Sequence, residues 1–222
     1  MKLNICYLGT ISYKEALDIQ YQLVERRQKE LINNTLLLLE HPPVLTMGTR
    51  GDYANIYIPL EQLANEGISV YKVNRGGDVT YHGPGQIVGY PIMNIKDFGG
   101  SIRQFILNIQ SSIIKLLQVE FGISAYGQTD QYTGAWVGDQ KITAIGIAVQ
   151  KWVTMHGFAF NVNTNLKHFE WINPCGLSKG VTSIAALTGV KADMNHLYCL
   201  LADYFAKEFN CELVKTNISS LL

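Results

Sequence analysis

The chain has 222 residues, 47% of them hydrophobic and 16% charged, which is ample apolar material for one large domain or two small ones. Lys plus Arg equals Asp plus Glu at 18 each, so no net field recruits nucleic acid or an anionic membrane. Apolar runs such as Thr35–Leu39 are too short to span a bilayer, and the opening MKLNICYLGT lacks the pattern of a secretion signal.

In chain order, Leu3–Leu8 reads as a strand. Ser12 and Glu15 form a capping box that predicts a helix to about Asn33, with Tyr13, Ala16, Leu17, Leu23, Val24 and Leu31 on one stripe. Leu36–Leu39 is a buried strand stopped at His41-Pro42-Pro43. A short helix over Leu60–Asn65 ends at Gly67, and Ser69–Val73 is the next strand. A glycine-rich segment, Arg75–Gln86, precedes an apolar strand from Ile87 to Asn94. Ser101 starts a long amphipathic helix with Ile102, Phe105, Ile106, Ile109, Ile113, Leu116 and Leu117 inward, ending at Gly122. From Tyr132 to Asn161 the text is strand-like, with turns at Gly138-Asp139 and near Gln150-Lys151. Asp193 caps a helix to about Phe209, before a short strand near Glu212–Val214. Helices and strands mix without strict alternation and no linker marks a boundary, so the expectation is α+β, one domain over 1–222.

Three features carry chemistry. The segment Arg75-Gly76-Gly77-Asp78-Val79-Thr80-Tyr81-His82-Gly83-Pro84-Gly85-Gln86 spends four of twelve residues on glycine, which permits positive φ and close approach of backbone to a ligand. Composition divides it evenly between an ordinary connection and a loop presenting N–H groups to a carbonyl or phosphate; Arg75, Tyr81 and His82 favour a site. Ile87-Val88-Gly89-Tyr90 is strand-like, where a dinucleotide fingerprint needs a helix, and no GxxxxGK[ST] occurs.

Cys175 lies between Pro174 and Gly176, which implies a tight turn displaying a thiol. Cys6 sits in an apolar strand, Cys199 off the main stripe of its helix, and Cys211 at a strand edge. No CxxC pair occurs, so neither a disulfide framework nor a zinc site is expected, and reduced thiols in the cytoplasm are the default. Lys141 follows a hairpin turn. Such a lysine is normally a solvated charge, but its surroundings are apolar, and a cysteine held beside a lysine can act as nucleophile with base or counter-charge. The five histidines show no metal-ligand spacing; His82 is a candidate for substrate contact, and the others read as structural or exposed.

RGGDVTYHGPGQIVGYPI, then TGAWVGDQKITAIGI, HGFAFNVN and INPCGL, closely resemble the lipoyl(octanoyl) transferase family in order and spacing from about His41 to Ser183, with small departures at Ala135 and Thr143. The resemblance implies a mixed sheet flanked by helices, the catalytic domain of biotin- and lipoate-protein ligases. It implies transfer of octanoyl from octanoyl-acyl carrier protein to the lysine of lipoyl domains in 2-oxoacid dehydrogenase complexes and the glycine cleavage protein, without cofactor or metal. It makes Cys175 the acyl-thioester nucleophile and Lys141 the group that lowers its pKa. The acyl group would be held by Arg75, Gly76, Gly77, Asp78, Val79, Thr80, Tyr81 and His82, by Ala144, Ile145 and Gly146, and by Gly157, Phe158 and Ala159. An ATP-dependent ligase on the same fold would carry a loop like H-D-x-G-N where this chain has His82-Gly83-Pro84-Gly85-Gln86. A docking module would need neither Cys175 nor Lys141. A cysteine hydrolase would need a histidine base, and none is placed for one.

Overall fold

The computed structural model describes residues 1–130, 132–173 and 180–222. Strand β1 (Lys2–Thr10) leads into helix α1 (Tyr13–Gln28), which begins at the predicted cap: Ser12 Oγ accepts from the Glu15 amide at 3.2 Å. The helix stops short of Asn33 because Glu30 takes φ +58° and turns the chain away. Leu31 is therefore 63% exposed and not part of the buried stripe. Strands β2 (Asn34–Glu40) and β3 (Val44–Met47), helix α2 (Leu60–Asn65) and strand β4 (Ser69–Lys72) come next.

The glycine-rich segment contains a strand of its own, β5 (Val79–His82), before β6 (Gln86–Ile92). Its four residues lie between glycines and a proline, and they extend because they find a partner in β3, which sequence pattern alone does not reveal. Helix α3 (Ile102–Phe121) starts at Ser101, whose Oγ accepts from the Gln104 amide, and ends at Gly122 with φ +65°. Beyond it lie strands β7 (Tyr126–Gln128), β8 (Gly134–Val137), β9 (Gln140–Gln150) and β10 (Val153–Asn161), with the turn at Gly138-Asp139 as expected and a second at Lys151-Trp152. Strand β11 (Gly180–Val181), helices α4 (Ile184–Thr188) and α5 (Met194–Glu208) and strand β12 (Glu212–Lys215) complete the order.

The main sheet runs β12-β1-β2-β6-β10-β9-β8-β7, with β11 added beside β9; β4-β3-β5 form a separate small sheet. Pairing of β1 with β12 and β2 is parallel, and from β2 to β7 each neighbour is antiparallel, which gives the mixed sheet expected. Strand alternation divides the core. Leu36 and Leu38 pack with Phe105, Ile109, Ile113, Leu201 and Phe205 under α3 and α5, while Leu37 and Leu39 pack with Ala16, Leu23 and Val24 under α1. A third cluster joins Leu45, Met47, Val79 and Tyr81 of the small sheet to Leu63, Phe169 and Ile172.

Candidate active site

Where the small sheet and the start of α1 meet β6, β10 and β9, a cavity of about 240 Å³ remains. The strands beneath it carry small residues. On the paired strands Ala144 sits opposite Ala159, and Gly146 opposite Gly157, so two nearby cross-strand pairs carry almost no side chain. Above them lies the segment Arg75–Asp78. Gly76 N–H donates to the Ile147 carbonyl at 3.2 Å, and a Cβ on Gly146 would fall 2.6 Å from the Gly76 carbonyl oxygen. Gly77, at φ +94°, turns the chain over this contact. The lining runs along β9 from Lys141 to Ile147, a span on the order of 20 Å, so the cavity is a slot.

Of the residues singled out in the sequence, Arg75–Thr80, His82, Ala144–Gly146, Gly157–Ala159 and Lys141 all border this slot. Tyr81 does not: strand alternation turns its ring into the third cluster, against His168 and Phe169. Cys175 lies within residues 174–179, outside the described residues. The chain approaches them at Asn173, whose amide donates to the Asn55 carbonyl, and continues at Gly180 and Val181, which pair with Gln140 and Lys141. Of the other cysteines, Cys6 is buried in β1 with its thiol pushed up to about 11 by desolvation. Cys211 is half-buried, its thiol also raised by burial, and Cys199 is exposed.

Arg75 reaches back across the slot, donating through Nη2 to the carbonyls of Thr46 and Asp78, each at 2.7 Å. Three histidines stand behind it and burial keeps them neutral. His41 is pushed down to about 4, His156 to about 4, and His82 to about 3, where the neighbouring His41 adds to the effect of burial. Lys141 is half-buried, its Nζ 4.9 Å from the centre of the Trp136 ring.

Several lining residues carry no mark in the sequence. Gln86, His156 and Asn161 fall inside the quoted motifs, but nothing in their spacing marked them; Tyr13, Val88 and Tyr90 read only as core. His156 carried the one available signal, a histidine within an apolar strand, and it adopts φ +57° with Nε2 bonded to Asn74 Oδ1 at 2.7 Å. Among the described residues no cluster of three His, Cys, Asp or Glu is placed to hold a metal ion, and no helix is long and apolar enough to cross a membrane.

A mixed sheet flanked by helices is the fold this chain shares with solved lipoate- and biotin-protein ligases. The chain superposes on the bi-partite lipoate protein ligase of Thermoplasma acidophilum with a TM-score of 0.75 at 16% identity, covering 100% of this chain and 90% of that one. It matches the biotin protein ligase of Aquifex aeolicus, solved with biotin and ATP, with a TM-score of 0.57 at 14% identity, over 93% and 70% of the two chains. Residues 12–206 match the family model of the lipoyl protein ligase A/B catalytic domain. An octanoyltransferase of Caldicellulosiruptor saccharolyticus is 53% identical over 213 residues, 96% of this chain and 91% of that protein. The chain belongs to the octanoyltransferases of the lipoyl protein ligase A/B family.

Proposed function

We propose that this octanoyltransferase takes octanoyl from acyl carrier protein as a thioester, holds it on Cys175, and passes it to the lysine of a lipoyl domain. The observation that carries this reading is the slot itself. It is narrow, floored by Ala144, Gly146, Gly157 and Ala159, and has Lys141 at one end beside Val181, two residues beyond Lys179. A zigzag chain advances on the order of 1.2 Å per bond, so the seven bonds of an octanoyl chain reach roughly 8 Å and fit lengthwise. A volume of about 240 Å³ lies below that of sites which enclose drug-sized ligands.

The chemistry needs no nucleotide. Cys175 Sγ, as thiolate, attacks the donor carbonyl while the carrier thiolate leaves with a proton from the Lys141 ammonium. The acceptor amine then attacks the Cys175 thioester, Sγ leaves as thiolate, and the amine's proton returns to Lys141. The first exchange is nearly balanced, because one thioester replaces another, and amide formation drives the second. The acceptors in this reading are the lipoyl domains of 2-oxoacid dehydrogenase complexes and the glycine cleavage protein. The setting is the cytoplasm, where Cys175 stays reduced.

Substitution tests the assignment. Cys175→Ser should abolish transfer, since an alcohol lacking a strong base is a far weaker nucleophile than a thiolate. Cys6→Ala, Cys199→Ser and Cys211→Ser should retain it. Turnover near wild type in Cys175→Ser removes the covalent step.

A further inference from the structure

Five hydrogen bonds lead in one direction from the glycine-rich segment to the residue after β11. Arg75 Nη2 donates to Thr46 Oγ1 at 3.0 Å, and Thr46 Oγ1 lies 3.3 Å from His82 Nε2. His82 Nδ1 lies 2.8 Å from Gln86 Oε1. Gln86 Nε2 donates to Asn161 Oδ1 at 2.9 Å, and Asn161 Nδ2 donates to the Thr182 carbonyl at 3.0 Å. The ends force the polarity, because a guanidinium only donates and a carbonyl only accepts. Gln86 Nε2 is held a second time by the Tyr81 carbonyl at 3.2 Å, so its amide cannot turn over. His82 must therefore carry its proton on Nδ1 and accept the Thr46 hydroxyl proton at Nε2, which matches its burial as a neutral ring. Thr46, His82, Gln86, Asn161 and Thr182 are all buried. Thr182, the last acceptor, is itself clamped to Lys141: its amide donates to the Lys141 carbonyl at 3.0 Å.

We propose that this one-way relay makes Gln86 and Asn161 positioning residues for acyl transfer, registering β11 against Lys141. Both line the slot, but their amide groups are engaged with each other, with His82 and with backbone carbonyls. They act through the strand they hold. The proposal rests on the assignment of Cys175 and Lys141 made above. Reversing any link leaves two donors or two acceptors facing each other without water, which the strand relieves by shifting.

The decisive variant is Asn161→Asp, which still accepts from Gln86 but has no N–H for Thr182 unless the carboxyl is protonated. At about pH 8, single-turnover acylation from octanoyl carrier protein should fall on the order of a hundredfold, while donor affinity stays near wild type. As the pH is lowered towards about 6, the rate relative to wild type should recover, because a buried carboxyl regains a proton and with it the missing donor. Asn161→Leu should be as slow and show no such recovery. An Asn161→Asp rate equal to wild type, a loss confined to donor binding, or parallel pH profiles for the Asp and Leu variants would each overturn the relay. If Asn161→Asp does not fold, Thr46→Val carries the test. It removes one link upstream and must slow acylation with donor affinity retained, and an unchanged rate there overturns the proposal equally. Cys175→Ser run alongside separates the two readings: an active Cys175→Ser defeats the covalent mechanism, whereas an active Asn161→Asp with an inactive Cys175→Ser defeats the relay alone.

Discussion

The two faces of the main sheet use the same strands to opposite ends. Under α3 and α5 most inward positions are large: Phe105, Phe160, Phe205 and Phe209 interlock with isoleucines and leucines, with Gln110 and Ser112 of α3 buried as well. On the other face α1 covers only part of the sheet, and beyond it the inward positions fall to alanine and glycine while His41, His82 and His156 are buried nearby. The first face stores stability. The second gives up packing to keep a slot open, and holds it with hydrogen bonds in place of side-chain volume.

That division yields a pair of opposed substitutions. Phe205→Ala removes a fully buried ring stacked on Phe209 at 4.4 Å, and should lower unfolding stability in urea by about 3–5 kcal/mol. Activity per folded molecule should stay close to wild type. Gly146→Val should do the reverse. Its Cβ alone would come 2.6 Å from the Gly76 carbonyl, so the glycine-rich segment must lift off β9 and kcat/KM should fall on the order of a hundredfold. An active Gly146→Val, or an inactive but stable Phe205→Ala, would break the contrast.

Acid should act through the slot face. His41, His82 and His156 ionise in the folded chain only near 4, 3 and 4, whereas unfolded histidine does so near 6.5. The unfolded chain thus binds more protons between these values. Stability is complete above about pH 6.5 and is lost as the pH falls towards 4, each histidine contributing up to about 1.4 kcal/mol per pH unit. Urea midpoints measured from about pH 7.5 to 5 should decline; a flat profile would show that these rings are not buried neutral.

Sequence pattern revealed most of the first face, because its signals are local, although Ile102, expected inward, is 46% exposed in the first turn of α3. The cap at Ser101, the period of Phe105, Ile109 and Ile113, and the stop at Gly122 need nothing beyond the helix itself. The second face was legible only in outline. The glycines and His82 marked the segment, but β3 and β5 exist through pairing with each other, and Tyr81 turns away from the slot because it lies on a strand that composition concealed. Gln86 and Asn161 gave no warning. They stand 75 residues apart, and their amides meet only once the strands that carry them have paired.

In the proposed mechanism an activated acyl group arrives without nucleotide and passes through Cys175. Intact-protein mass spectrometry after incubation with octanoyl carrier protein, without acceptor or ATP, tests it most directly. The enzyme should gain the mass of one octanoyl group. Hydroxylamine should remove it, peptide mapping should place it on Cys175, and an added lipoyl domain should discharge it to a hydroxylamine-resistant amide. Modification of the acceptor only when ATP is supplied, with no adduct on the enzyme, would contradict the claim and make the glycine-rich segment an adenylate site.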